Sequence, residues 1–343
     1  MKTVFISGGG TGGHYYPALA VAEALKEKGY KVVYIGTTVG IEAKKGFPAA
    51  DNTYLFEMKA VRGKSFLGKI EGILSLIKTT FKVIKLIKKE NPSFSICFGG
   101  YTSFPLGVAS FLTRKDLYIH EQNSIPSYTN RVLSIFAKKV FITFDYSRKF
   151  FNTKKTYHVG LPLRKSIIER AKTYTYKPKE RKTVLIFGGS QGSKKLSEIA
   201  IEMAKSMPDK DFILIKGKWD LNVPNLPNLT VYDYYDKMEE LYELADIVVS
   251  RSGSGTVNEV LAFGKYAIFI PYPYAASNHQ YYNVKWLYDL GLCDILEEKE
   301  VSADRIIKII QNISDNKLLY LHVSLRNYAR LSAVEEILSN IER

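Results

Sequence analysis

Short apolar runs rich in β-branched residues alternate along this chain with longer stretches whose apolar positions recur every three or four residues. The first pattern reads as buried strands and the second as amphipathic helices, and their alternation predicts α/β architecture with parallel sheets wound by helices. In the first half, strands are expected near residues 3–7, 31–36, 94–98, 117–120 and 139–143, with helices over 17–28, 67–89, 104–112 and 126–136. The second half predicts strands near 183–187, 211–215, 229–232, 246–249 and 267–270, and helices over 193–205, 236–244, 254–263 and 279–290. The polar, proline-bearing stretch Tyr174–Lys179 places a linker within 160–181. From about residue 302 the tail is helical in pattern, and its last helix is expected to return to the first domain. A chain of 343 residues has room for two such domains, here read as 1–162 and 163–343.

Two stretches share one design. Val4-Phe5-Ile6-Ser7 runs into Gly8-Gly9-Gly10-Thr11-Gly12-Gly13-His14, and Val184-Leu185-Ile186-Phe187 runs into Gly188-Gly189-Ser190-Gln191-Gly192-Ser193. Glycine lets the backbone turn sharply and approach a ligand, and the helix that follows presents free N–H groups to an anion. One such loop also serves a plain strand-to-helix turn. Two of them, half a chain apart, predict two Rossmann-like halves facing a shared cleft. Neither ends in the Gly-Lys-Ser/Thr of a triphosphate-binding loop, which leaves an ATPase reading little support.

Between Phe66 and Lys89, the residues Phe66, Ile70, Ile73, Leu74, Ile77, Phe81 and Ile84 recur at helical spacing, while Lys78, Lys82, Lys85 and Lys89 share another face. One reading packs the apolar side on a sheet and leaves a solvated lysine rim. The other makes a membrane-surface element, with the Phe66-Leu67-Gly68 end exposed and the lysines meeting lipid headgroups. Both can hold at once, because the apolar set is wider than a single narrow stripe.

Charge sharpens the second reading. The formal net charge of +15 lies wholly in residues 1–164, with 25 Lys and Arg against 10 Asp and Glu; residues 165–343 carry 24 of each. The first half should therefore seek an anionic partner: a bilayer surface, a polyphosphate or a nucleic acid. No apolar run reaches the roughly 18 residues of a spanning helix, and Met1-Lys2-Thr3 leads straight into a strand, so a cytosolic protein without a signal peptide is expected. Cys97 and Cys293 form no framework, and Cys97, inside the apolar run Phe94–Phe98, reads as a buried thiol.

Four places carry candidate chemistry. His14 closes the first glycine loop where a helix is expected to begin at Pro17, and serves as a turn residue or as a general base. His120-Glu121-Gln122-Asn123 follows Leu117-Tyr118-Ile119, where open α/β sheets bind ligands or make a satisfied turn. Ser250 to Glu259 again opens a helix with small residues, offering N–H groups to a phosphate; Glu259, one turn in, is a partner for sugar hydroxyls or for the helix dipole. Asn278-His279-Gln280-Tyr281-Tyr282-Asn283 combines neutral amides and rings, as a sugar site requires. No His/Cys/Asp cluster has metal-ligand spacing and no Asp-x-Asp pair is present, so neither a metal nor a cofactor is expected.

Taken together, these motifs resemble the MurG-type UDP-N-acetylglucosamine transferases of bacterial peptidoglycan synthesis. The matching pieces are Gly9–His14, Arg62-Gly63-Lys64, Gly99-Gly100-Tyr101, His120–Asn123, Gly160–Arg164, Gly188–Gly192, Arg251–Glu259 and His279–Asn283, in the family's order over nearly the whole chain. The resemblance implies a GT-B fold without an essential metal, and inverting transfer of N-acetylglucosamine from UDP to the C4 hydroxyl of a muramyl-pentapeptide on undecaprenyl pyrophosphate. It implies His14 as the base. Gly9, Gly10, Gly99, Gly100 and Tyr101 would face the acceptor pyrophosphate, with Thr11, Gly12 and Gly13 reaching the donor. Ser190 and the helix head of Ser254, Gly255 and Thr256 would hold the donor phosphates. Glu259 would bind ribose, with Arg164 near the uridine and Tyr235 beside uracil. Asn123, Gln280 and Asn283 would grip the transferred sugar, with His279 the alternative to Gln280. Phe104, after Gly99–Ser103, and Tyr15-Tyr16, after His14, are bulkier than the family's usual residues.

The resemblance also implies a peripheral place on the cytoplasmic face of the cell membrane, with an anionic bilayer and other cell-wall synthesis proteins as partners and no nucleic acid. Phe66, Leu67, Ile70, Lys78, Lys82 and Lys85 are the membrane candidates. Two alternatives remain: another GT-B lipid glycosyltransferase, such as a diacylglycerol galactosyltransferase, and a non-catalytic polyanion-binding module. His120–Asn123 argues against the first, and the presence of His14, Glu259 and both glycine loops against the second.

Overall fold

The computed structural model describes residues 1–60, 65–189 and 191–342; Arg62-Gly63-Lys64 and Ser190, both named above, lie outside the described residues. The chain forms two compact units, Met1–Arg164 joined by the segment from Ser332, and Lys165–Leu331.

In the first unit the elements run β1 (Thr3–Ser7), α1 (Gly12–Glu27), β2 (Lys31–Thr37), α2 (Ile41–Lys45), β3 (Asn52–Phe56), α3 (Phe66–Glu90), β4 (Phe94–Cys97), α4 (Phe104–Leu112), β5 (Asp116–Glu121), α5 (Tyr128–Ser134), β6 (Lys139–Ile142) and β7 (Thr156–His158). The strands make one parallel sheet in the order β3-β2-β1-β4-β5-β6-β7. β1 sits in its middle, with Phe5 beside Val33 on one side and Ser95 on the other, so all five of its residues are buried. A strand covered on both faces requires such an unbroken apolar run.

In the second unit come α6 (Lys165–Thr173), β8 (Thr183–Phe187), α7 (Lys194–Ser206), β9 (Asp211–Ile215), β10 (Leu229–Tyr232), α8 (Met238–Leu244), β11 (Ile247–Ser250), α9 (Ser254–Phe263), β12 (Tyr266–Phe269), α10 (His279–Asp289), β13 (Asp294–Ile295), α11 (Ala303–Gln311) and α12 (Asp315–Arg326). Its parallel sheet has the order β10-β9-β8-β11-β12-β13. α13 (Ala333–Glu342) then returns to the first unit, where Val334, Ile337 and Leu338 join the core formed with α1 on one face of the sheet. Both sheets have their strand order reverse beside the first strand of the unit, between β1 and β4 and between β8 and β11. Such switch points place the following loops around a crevice where ligands bind.

The structure corrects several expectations. β3, β7 and β13 were not anticipated; each lies at a sheet edge, and β3 alternates between half-buried and exposed residues instead of forming an apolar run. The expected linker over 160–181 contains α6, with Ile167 and Ala171 buried, and Tyr174, whose hydroxyl meets the Nζ of Lys265. That lysine is buried, which lowers its pKa to about 7. α1 begins at Gly12, so Pro17 lies inside the helix and His14 sits in its first turn. Proline has no N–H to return to the carbonyl one turn back, so the start of this helix is held by other contacts.

The largest correction concerns α3. Its buried face is Gly72, Leu76, Thr79, Thr80, Val83 and Ile87, and it packs with α4 and α5 on the opposite face of the sheet from α1. Of the apolar set, Ile84 packs against the core while the rest point outward, contrary to the sheet-packing reading and in keeping with the exposed one: Phe66 is 77% exposed, Leu67 72% and Phe81 63%, with Ile70, Ile73, Leu74 and Ile77 also exposed. The helix is therefore three-sided. Around its axis the buried stripe, the exposed apolar stripe and the Lys78–Lys82–Lys85–Lys89 stripe follow one another at successive thirds of a turn.

Candidate active site

At the first switch point, the loop after β1 and the loop after β4 are tied together. Ser7 Oγ donates to the Thr102 carbonyl at 3.1 Å, and Ser103 Oγ lies within reach of the carbonyls of Ser7 (2.9 Å) and Gly99 (2.8 Å). The Gly9 N–H donates to Thr102 Oγ1 at 3.3 Å and the Gly10 N–H to Glu42 Oε2 at 2.7 Å. Glu42, fully buried on α2, also accepts from the Thr37 N–H at 3.2 Å. These two glycines, read as acceptor ligands, thus already give their N–H groups to protein side chains. Gly12 and Gly13 head α1, where N–H groups have no carbonyl one turn back, and Thr11, the N-cap, contributes no side-chain cap. A Cβ on Gly9 would lie 2.1 Å from Glu42 Oε1, so no other residue fits above this carboxylate.

His14 faces the end of β5. Its Nδ1 lies 2.9 Å from Gln122 Oε1. The Gln122 amide nitrogen lies 3.1 Å from His120 Nδ1 and 3.0 Å from the His120 carbonyl, and His120 Nε2 reaches the Gly160 carbonyl at 2.9 Å. His120, Glu121 and Gln122 are all fully buried. Burial lowers the pKa of His120 to about 4, against the opposing pull of the Gly160 carbonyl, and keeps the ring neutral. Burial likewise raises the carboxyl of Glu121, opposed by the Asn123 N–H, the Asn130 amide, the charge of His14 and the Ser127 N–H. On its other side His14 meets Gly100, at φ +74°, where a Cβ would lie 3.3 Å from the ring's Cδ2 and 3.6 Å from Nε2. Tyr101 lies over the first loop, its Cε1 3.8 Å from where a Gly10 Cβ would be. Arg164 stacks on Tyr16, 5.5 Å from the ring centre.

The second unit is built differently at its switch point. α7 carries its own cap, Ser193 Oγ accepting from the Leu196 N–H. Arg251 pins the loop after β11, donating to Ser193 Oγ at 3.2 Å, to the Ile270 carbonyl at 3.1 Å and to Glu298. The head of α9 is left open: Gly253 is the N-cap with no side-chain cap, and a Cβ on Gly253 or Gly255 would meet nothing within 4 Å. Ser254 and Thr256 flank Gly255 in that first turn. Glu259, in the second turn, accepts from the Tyr242 hydroxyl at 3.0 Å. Asn283 is fully buried and its amide donates to the Ser252 carbonyl at 3.1 Å, which shapes the head of α9. Gln280 Oε1 accepts from the Tyr272 N–H at 2.9 Å, and His279 Nδ1 lies 2.9 Å from the Ala276 carbonyl. These two residues follow Ser277 and Asn278, both in the left-handed region at φ 53°, a conformation non-glycine residues seldom hold. Tyr235 packs on Tyr232 and donates to Glu240 at 2.7 Å. Among the described residues no three His, Cys, Asp or Glu side chains gather to hold a metal ion.

The pattern of the glycosyltransferase family 28 N-terminal domain matches residues 4–142, and that of the C-terminal domain matches residues 183–337. The UDP-N-acetylglucosamine--N-acetylmuramyl-(pentapeptide) pyrophosphoryl-undecaprenol N-acetylglucosamine transferase of Sulfurihydrogenibium sp. (strain YO3AOP1) is 64% identical over 341 residues, 99% of this chain and 98% of that protein. The transferase of the same name from Aquifex aeolicus (strain VF5) is 37% identical over 91% of this chain and 92% of its own length. The crystal structure of Acinetobacter baumannii MurG matches with a TM-score of 0.81 at 27% identity, covering 100% of this chain and 99% of that one.

The chain belongs to the MurG-type transferases of glycosyltransferase family 28.

In this family 28 member, the bulky residues noted in the sequence serve packing. Phe104 opens α4 and packs against the core beneath α3 and α4. Tyr15 is buried, with its hydroxyl on the Gly46 carbonyl at 2.9 Å. The structure brings His14, Gly100 and the His120–Asn123 strand end together in the first unit, and Ser254–Glu259 with Asn283 in the second. Three contributors escaped the sequence reading. Gln122 was seen only as one polar member of a run; Glu42 carried no signal, because its role depends on a glycine loop 32 residues away. Tyr242, the partner of Glu259, read as an ordinary helix residue.

Proposed function

We propose that this family 28 transferase moves N-acetylglucosamine from UDP-N-acetylglucosamine to the C4 hydroxyl of an undecaprenyl-pyrophosphoryl-N-acetylmuramyl-pentapeptide, the lipid I to lipid II step of peptidoglycan synthesis. The names carried by its relatives at 64% and 37% identity support the donor and the acceptor. The observation that carries the chemistry is His14, held at Nδ1 by Gln122 and open toward Gly100 at a switch point of the sheet.

An α-linked donor becomes a β-linked product, so one displacement inverts C1. His14 Nε2 takes the C4 hydroxyl proton as that oxygen bonds to C1; the C1–O bond to UDP breaks, and its electron pair settles on the β-phosphate. The uncapped head of α9 stabilises that growing charge, so no metal is required. Glu259, braced by Tyr242, accepts from the ribose hydroxyls. The test is transfer of radiolabelled N-acetylglucosamine to the lipid-linked acceptor with EDTA present. Activity is expected to survive; complete loss restored by Mg²⁺ or Mn²⁺ would remove the metal-free scheme.

The same reading places the first unit on the cytoplasmic face of an anionic membrane. Among the described residues no helix is long and apolar enough to cross a bilayer. α3 instead exposes Phe66, Leu67, Ile70, Ile73, Leu74, Ile77 and Phe81 beside its lysine stripe, and Phe111, Leu112, Ile135 and Phe136 extend the apolar surface on the same side of the sheet. Phe111 and Phe136 pack ring to ring at 4.2 Å. Each basic residue near an anionic surface contributes about 1 kcal/mol, and apolar insertion adds a part that salt does not screen. Binding to anionic vesicles should fall with salt without vanishing. Lys78→Glu, Lys82→Glu and Lys85→Glu together should weaken it, and Phe66→Ser with Leu67→Ser should remove most of the salt-resistant part. Equal affinity for neutral and anionic vesicles would sink the assignment.

A further inference from the structure

We infer that Gln122 is a positioning residue that sets the tautomer of His14, fixing the proton on Nδ1 and leaving the Nε2 lone pair on the side of Gly100. The inference rests on the reading of His14 as the base and adds what makes it competent. It follows from which atoms can donate. The His120 carbonyl can only accept, so the Gln122 atom 3.0 Å from it is the amide nitrogen, and a flipped amide would set two acceptors face to face. The amide oxygen therefore points at His14, and because it can only accept, His14 Nδ1 must donate across the 2.9 Å contact.

The far end of the relay agrees. The second amide hydrogen of Gln122 meets His120 Nδ1 at 3.1 Å, which makes that nitrogen an acceptor and puts the His120 proton on Nε2, where it donates to the Gly160 carbonyl at 2.9 Å. Every donor in the chain His14–Gln122–His120–Gly160 then meets an acceptor, with each ring carrying a single proton. The order is anchored by two backbone carbonyls, those of His120 and Gly160, which cannot change role. His120 stays neutral through burial, so it does not turn into a second donor that would force the amide round. A base that faced its substrate through a protonated Nε2 could not take a proton, so this arrangement bears directly on turnover. Gly100, at φ +74°, borders this edge of the ring: a Cβ there would stand 3.3 Å from Cδ2 and 3.6 Å from Nε2.

The neighbouring titratable groups are His120 and Glu121 on β5. The Glu121 carboxyl, raised in pKa by burial, is occupied by the Asn123 and Ser127 N–H groups and the Asn130 amide, so it does not compete for the Nδ1 proton of His14. A neutral amide at 122 orients the ring without adding an anion, and this separates the device from a carboxylate–histidine pair, in which the imidazolium is stabilised and the base strengthened.

The test uses full-length protein labelled with ¹⁵N-histidine, the His14 signals being assigned by their loss in His14→Asn. In the wild type at alkaline pH, His14 is expected with Nδ1 protonated and Nε2 bare. Gln122→Met, close in size and without the amide, should shift the ring toward the Nε2–H form that a free imidazole prefers. It should lower kcat by about 10²-fold, part of the general-base contribution, while donor KM stays within about threefold. Gln122→Glu keeps an acceptor at Nδ1 but sets its second oxygen, unless protonated, against the His120 carbonyl, so it should hold the Nδ1–H form and recover only part of kcat. Melting curves accompany both variants, since residue 122 is buried. A wild-type His14 protonated on Nε2, or a folded Gln122→Met with unchanged tautomer and kcat, would overturn the inference. Should His14→Asn keep more than a tenth of wild-type kcat, the base assignment fails while the tautomer measurement still stands.

Discussion

At the first switch point, Gly9 and Gly10 give their N–H groups to Thr102 and Glu42, and the loop closes on side chains of its own unit. At the second, Arg251 and the Ser193 cap take up the loop backbone on either side, yet the head of α9 faces open space at Gly253 and Gly255. Two sheets that share the order of their first six strands, each with a switch point of its own, thus furnish it in opposite ways. The filled loop leads into α1, whose first turn carries His14, held at Nδ1 by Gln122. The open head leaves its N–H groups uncapped, as the proposed hold on a donor phosphate requires. Position in the fold sets where a site can be, and the local side chains set whether it does chemistry or holds a ligand.

Removing the base should break this contrast most severely. His14→Ala is expected to lower kcat by about 10²–10⁴-fold, while donor binding measured by calorimetry stays close to wild type. Retention of more than a tenth of kcat would mean that the first loop holds no base.

Glu42→Ala should come next. It strips the acceptor from two buried N–H groups, those of Gly10 and Thr37, each of which costs about 1–3 kcal/mol when left unpaired. A large fall in melting temperature is expected, together with a fall in kcat at little-changed donor KM, because the loop that carries His14 loosens. A variant as stable as wild type would show that the first loop does not depend on its filling.

The smallest effect is expected on the holding side. Glu259→Ala should raise donor KM by about tenfold, the worth of one charge-assisted hydrogen bond, with modest change in kcat, since the ribose contact is alike in ground and transition states. A collapse of kcat at constant KM would place Glu259 at the reacting centre and erase the division of labour.

The central strands were legible because burial on both faces demands unbroken apolar runs, as in Val4–Ile6 and Ile247–Val249. Three of the four edge strands were not: β13 has two residues and β7 three, too few for a period to show, and β3 lacks an apolar run, whereas β10 was expected where it lies. α3 was found as a helix, and of its two readings the one that packs the apolar set on the sheet fails. Its buried stripe is built from Gly72, Thr79 and Thr80 as well as Leu76, Val83 and Ile87, so the more apolar stripe is the one outside. His14 announced itself by closing a glycine loop. Its relay did not, since Gln122 is 108 residues away and its choice of donor depends on a carbonyl that only the folded strand brings near.

The return of α13 to the first unit has a consequence for synthesis. The ribosome releases β1, α1 and the apolar surface of α3 early, but Val334, Ile337 and Leu338, which cover α1, are made only after the whole second unit. Burying three such side chains contributes roughly 5 kcal/mol, a large share of what holds an ordinary domain together. The first unit therefore gains its full stability only when the second has already been translated. A stop codon near residue 331 would leave β1 and α3 intact in sequence while uncovering the opposite face of the sheet.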